Sequence, residues 1–141
     1  MAAVKGVNST KYDAGGQGDN AIAQGKINCG VEVWTDSYEA VALASGSTID
    51  IAHLPANAKV LRVEISFDAL GSGSTLAVGD SGDPDRYITA ASSAAVGNLQ
   101  TNRVDGQQYV IGTNALDGVV QILTAGASIS GTIKSTVWFT R

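Results

Sequence analysis

The run Lys59-Val-Leu-Arg-Val-Glu-Ile-Ser-Phe67 constrains the fold of this chain more than any other segment. Leu61, Val63, Ile65 and Phe67 alternate with Arg62, Glu64 and Ser66, a period of two that a strand can turn to a core on one face and to water on the other. A helix would scatter the same residues around its circumference. The alternation recurs along the chain. Val31 and Val33 alternate with Glu32 and Trp34 in a run that reaches Tyr38, Val41 and Leu43 mark a short strand, and Ile49 and Ile51 flank Asp50 in a strand ending near His53-Leu54. Leu76-Ala-Val78, Tyr109-Val-Ile111 and Val119–Leu123 follow. Between about Ser130 and Thr140, Ile133, Val137 and Phe139 oppose Thr132, Lys134, Thr136 and Trp138.

Turn formers separate these runs: Ser45-Gly-Ser47, Pro55-Ala-Asn57, Gly71-Ser-Gly-Ser74, Asn114–Gly118 and Gly126. Residues 91–108 are small and polar and read as a long loop, with one helical turn expected at Ala90–Ala95. The sum is roughly eight or nine short strands with turns every eight to twelve residues, the spacing of an antiparallel sandwich or barrel. The expected fold class is therefore all-β, an antiparallel jelly-roll-like β-sandwich of two sheets. No repeat supports a propeller or solenoid.

Residues 1–30 differ from the rest. Lys11-Tyr-Asp-Ala-Gly-Gly-Gln-Gly-Asp-Asn20 offers almost nothing to bury, so this stretch is expected to be an extended N-terminal arm ahead of a body at 31–141. Val4, Val7, Tyr12 and Ile22 give the arm apolar anchors for a partner.

Only 16% of the 141 residues are charged, well below the usual quarter, and Thr, Ser, Ala and Gly take their place. Such a surface suits burial by other subunits. The net charge of −4 argues against nucleic acid as a ligand. The charge is uneven: Lys5, Lys11 and Lys26 outnumber Asp13 and Asp19 in residues 1–30, whereas residues 31–128 hold four basic residues against eleven acidic ones. A basic terminus could thus dock on a neighbouring acidic body. No apolar stretch approaches a membrane span and the first residues lack the apolar core of a signal peptide, so synthesis in a cytoplasm is expected, with no membrane partner.

No catalytic constellation emerges. His53 is the lone histidine and Cys29 the lone cysteine, which excludes an intrachain disulfide and argues against an ordinary zinc site and against a catalytic constellation built on a histidine base. Cys29 reads as a small filler and His53 as a polar strand-end residue. Asp80, Asp83 and Asp85 could offer hard oxygens to Ca²⁺, but they sit at positions 1, 4 and 6 with no Glu at 12. Turn capping by Asp80 and Asp83, stiffening by Pro84, and pairing of Asp85 or its neighbours with Arg86 explain the same loop. Glu32, Asp36, Glu39, Glu64 and Asp68 could supply a hydrolase pair, yet nothing makes two of them converge. Trp34 and Trp138 lie on the register opposite the aliphatic residues of their strands, so either both sheet faces are buried there or these tryptophans face a partner. With Tyr38, Tyr87 and Tyr109 a sugar-binding face is also open, and a protein interface is the preferred expectation.

The runs Val33-Trp-Thr-Asp-Ser-Tyr38-Glu-Ala, Ala44-Ser-Gly-Ser-Thr48-Ile, Leu54-Pro-Ala-Asn-Ala58, Phe67-Asp-Ala-Leu-Gly71 and Val78-Gly-Asp80 through Asp85-Arg-Tyr87 resemble small proteins of tailed bacteriophages. The resemblance is to the head decoration, or cement, proteins; it is good over residues 1–90 and loose beyond. It implies a structural virion protein on the capsid surface that bridges major capsid subunits, forms a homo-oligomer (a trimer is expected), and uses no cofactor. A receptor- or carbohydrate-binding module of a phage tail or fibre is the alternative.

Overall fold

The computed structural model describes residues 30–114 and 117–141, and no helix occurs among them. Nine strands follow in order: β1 (Glu32–Leu43), β2 (Thr48–His53), β3 (Lys59–Phe67), β4 (Thr75–Gly79), β5 (Ile88–Ser92), β6 (Gly97–Gln100), β7 (Tyr109–Val110), β8 (Val119–Ala125) and β9 (Ile129–Thr140). One sheet has the order β1-β9-β3-β6, with the short β7 paired to β3; the other has the order β2-β8-β4-β5. All pairings are antiparallel.

The pairs nest. β4 lies beside β5, β3 beside β6, β2 beside β8 and β1 beside β9, so the chain runs as one long antiparallel ribbon rolled into two sheets. That is a jelly roll, and the sequence expectation of an all-β jelly-roll-like sandwich holds. Its core lies between the sheets. Val63, Ile65, Leu76, Val78, Ile122, Ile133 and Val137 from both inner faces are essentially inaccessible, each burial stabilising by roughly 1.5–3 kcal/mol before entropy is counted.

Several expectations change in detail. Val41 and Leu43 do not form a separate strand but continue β1 past an irregularity between Ala40 and Leu43, where Ala42 takes a positive φ of 47°. In β3 a bulge between Val60 and Arg62 slips the alternation by one residue. Val60 therefore takes the buried position opposite Phe139, and Leu61 is only partly buried. Residues 91–108 contain no helical turn: Ala90–Ser92 complete β5, and Gly97–Gln100 form β6. Both are edge strands with mostly exposed small or polar residues, so no alternating pattern announced them. Gly97 sits directly across from Phe67, whose ring would crowd any Cβ placed there.

Candidate partner-binding surface

β1 and β2 are edge strands of the two sheets and have no further strand beside them among the described residues. β1 pairs with β9 so that Glu32 opposes Phe139, Trp34 opposes Val137, Asp36 opposes Ser135 and Tyr38 opposes Ile133. Cross-strand partners share a face, and Phe139, Val137 and Ile133 are core residues. Trp34 and Tyr38 thus hold inner-face positions, yet remain 36% and 37% exposed. Only Ala40 is buried in this strand of 12 residues. His53, the last residue of β2, brings its ring to 6.2 Å from that of Trp34. On the outer face, Val33 is half exposed and Val41 is 82% exposed.

Trp138 lies across from Val33, on the outer face. The two tryptophans therefore sit on opposite faces of one sheet. The valines of β1, not Trp34, take the outer register, because the register with β9 rather than side-chain type decides the face. Trp138 is partly covered by Arg62, whose guanidinium carbon stands 5.2 Å from the indole centroid. Arg62 also pairs with Glu64 at 2.5 Å; Glu64 accepts from Asn98 at 2.7 Å, and Asn98 donates to Ser66 at 2.9 Å. This polar row runs from β9 across β3 to β6. Arg62 carried no signal in the sequence beyond its place on the polar register of its strand. Val4, Val7, Tyr12, Ile22 and Cys29 lie outside the described residues.

The carboxylates do not converge. Glu32 receives Arg141 at 2.9 Å, Glu39 receives the Thr132 hydroxyl at 2.7 Å, Asp68 receives the Thr132 amide at 3.1 Å, and Asp36 receives the amide of Ser37 at 2.7 Å. Among the described residues no three of His, Cys, Asp and Glu are grouped to share a metal ion.

The Asp80–Arg86 loop is held from within. Asp80 is 6% exposed and accepts from the amides of Gly82 and Asp83, both at 2.9 Å, and from Arg86 Nε at 2.5 Å. Its oxygens are committed to capping the turn and to one cation. Asp85 pairs with Arg103 at 3.1 Å, so the partner of Arg86 is Asp80 and not Asp85. The hydrogen bond to Asp80 is the main cause that raises the Arg86 pKa above its ordinary value. Arg86 also covers the Tyr109 ring at 4.1 Å. Gly79 precedes the loop, and a Cβ there would collide with the Asp83 carbonyl, so the turn can close only on glycine.

Among the described residues this surface combines a strand edge with aromatic and aliphatic side chains, and its carboxylates are engaged in separate pairs. No protein-family model matches the chain, and no curated protein matches it. Among solved structures it is similar to a chain in the capsid asymmetric unit of cyanophage Pam1, at 22% identity and a TM-score of 0.61 over 80% of this chain and 84% of that one. A chain in the capsid of Ralstonia phage GP4 aligns at 20% identity and 0.63, over 79% and 84%. One in the acidic stable capsid of Helicobacter pylori bacteriophage KHP30 aligns at 13% and 0.59, over 79% and 87%. At these identities the likeness is one of fold, and what it establishes is a jelly roll shared with chains found in phage capsids.

Proposed function

We propose that the chain is a structural virion protein, a decoration or cement protein that sits on the outside of a phage head and stabilises the shell by bridging major capsid subunits. The observation that carries the reading is the extent of the likeness to chains from three phage capsids, which spans 84–87% of each of them rather than a fragment of something larger. The sequence resemblance to decoration proteins points the same way. So does the charge-poor composition, with 16% charged residues.

In this reading residues 31–141 are the body and residues 1–30 an arm that reaches a neighbour. Val4, Val7, Tyr12 and Ile22 anchor the arm, and Trp34 and Trp138 contact partners from the body. The protein is made in the host cytoplasm and acts as a homo-oligomer, a trimer. Stabilisation follows from mass action: a protein bound to the assembled shell and not to its parts adds about 2.7 kcal/mol per site at 100 times its Kd.

The test uses shells that lack the protein. Adding the purified full chain should give saturable binding, a higher shell melting temperature and new density in a cryo-EM map. Shells that neither bind it nor gain stability would overturn the reading. Removal of residues 1–25 should weaken binding; unchanged binding would remove the arm from the mechanism.

A further inference from the structure

We infer that the free edge of β1 is a docking strip for the lysine-bearing N-terminal segment of a second copy of this chain. The inference rests on the homo-oligomeric reading above and names the surface through which the copies join. β1 ends its sheet and pairs only with β9 there, so one whole row of its backbone N–H and C=O groups has no partner strand among the described residues. The other edges are short: six residues in β2, five in β5 and four in β6, against 12 in β1. Short strands, lysines, prolines and bulges are usual guards against strand addition; β1 is long, has no Lys or Pro, and its one irregularity lies near its far end, between Ala40 and Leu43. It shows Val33 and Val41 on one side, and Trp34 and Tyr38 on the inner register. An added strand would cover apolar groups on both faces while its main chain pairs with the edge.

Charge selects the occupant. β1 carries Glu32, Asp36 and Glu39 and no basic residue. Two β1 strands laid side by side would bring six carboxylates together, which disfavours a symmetric β1–β1 pair. Residues 30–141 as a whole hold six basic residues against eleven acidic ones, whereas residues 1–29 hold three lysines against two aspartates. The N-terminal segment is thus the stretch whose charge complements the edge. Its length allows the exchange: 29 residues reach up to roughly 95 Å when extended, and a body of this size is about 35 Å across. A segment passed from each copy to the next is a head-to-tail contact, which closes into a ring under cyclic symmetry.

The experiment uses the full chain alone, without shells. Equal amounts of ¹⁵N-labelled and unlabelled protein are refolded together and treated with a carbodiimide, which joins lysines to carboxylates in direct contact. Expected are links from Lys5, Lys11 or Lys26 to Glu32, Asp36 or Glu39, about half of them joining a heavy to a light peptide, as random pairing between copies requires. Links confined to peptides of one isotope would mean that the segment docks on its own body, and links that avoid β1 would move the site elsewhere; either result overturns the inference. Asp36→Lys provides the second arm, because among the described residues Asp36 accepts only from the neighbouring Ser37 amide. It should weaken self-association at least about tenfold through like-charge contact with the incoming lysines, and leave the thermal unfolding of the body unchanged. Self-association untouched by Asp36→Lys would also overturn it. Shell binding is scored separately, so a protein that binds shells without such cross-links keeps the decoration reading and loses this one.

Discussion

β1 and β3 belong to the same sheet, flank the same strand β9 and carry alternating apolar residues, yet they meet opposite fates. β3 buries Val60, Val63, Ile65 and Phe67, whereas β1 buries Ala40 alone. The difference is position. β3 has β9 on one side, β6 and β7 on the other, and the second sheet across from it. β1 has β9 on one side and no strand on the other among the described residues, with the edge strand β2 across the sandwich. Alternation in the sequence therefore reports that a strand can bury a face, and topology decides whether it does.

The largest expected effect tests this contrast directly. Ile65→Ala should cost about 2–5 kcal/mol in chemical denaturation, since Ile65 is fully inaccessible and the vacated space lies between two rigid sheets. Trp34→Ala removes a larger side chain but should cost less than Ile65→Ala, about 1–2 kcal/mol in the isolated body, because about a third of the residue already faces water. Equal losses from the two substitutions would break the comparison. A loss for Trp34→Ala that appears only when the protein is assembled would sharpen it.

The second effect asks whether the acidic loop at the end of β4 is a structural fitting of the core or a free surface like β1. Arg86→Met leaves the Asp80 carboxylate buried with two amide donors and no cation. The expected cost is about 2–3 kcal/mol, below the full penalty for a broken interior pair because Arg86 keeps 18% of its side-chain exposure. Urea unfolding of the variant measures it. A cost under about 0.5 kcal/mol would place the pair with ordinary surface ion pairs.

Much of this architecture was legible in the sequence. β2, β3, β4, β8 and β9 were readable because apolar residues recur at every second position between turn formers, and Gly46, Gly73 and Gly126 do adopt the positive φ that their turns demand. β5 and β6 were not readable, since an edge strand such as Gly97-Asn-Leu-Gln100 has little to bury and so no pattern to show. The surface was legible only in part. Trp34 and Trp138 stand out by type, but their faces depend on the register between β1 and β9, two strands about a hundred residues apart in the chain. The cover of Arg62 over Trp138 and the choice of Asp80 rather than Asp85 for Arg86 are likewise contacts that only the fold creates.

The smallest expected effect reduces the comparison to two tyrosines. Tyr38 on β1 is 37% exposed, whereas Tyr87, just before β5, is wholly inaccessible and packs edge-on against Tyr109 at 6.3 Å. Desolvation is the main cause that pushes the Tyr87 pKa well above its ordinary value of 10.0, with the nearby Asp80 carboxylate adding to it. The sign follows from proton counting. Above about pH 10 the unfolded chain releases this proton and the folded chain holds it, so folding stability is intact below that pH and falls above it, at up to about 1.4 kcal/mol per pH unit. Tyr87→Phe removes the titrating group and should flatten that alkaline decline. At neutral pH the same substitution should change stability by less than about 1 kcal/mol, because the Tyr87 hydroxyl finds no hydrogen-bond partner among the described residues and its loss strands no other group. A decline that persists in Tyr87→Phe would assign the alkaline sensitivity to other groups, and a loss of 2 kcal/mol or more at pH 7 would mean that the hydroxyl is hydrogen-bonded after all.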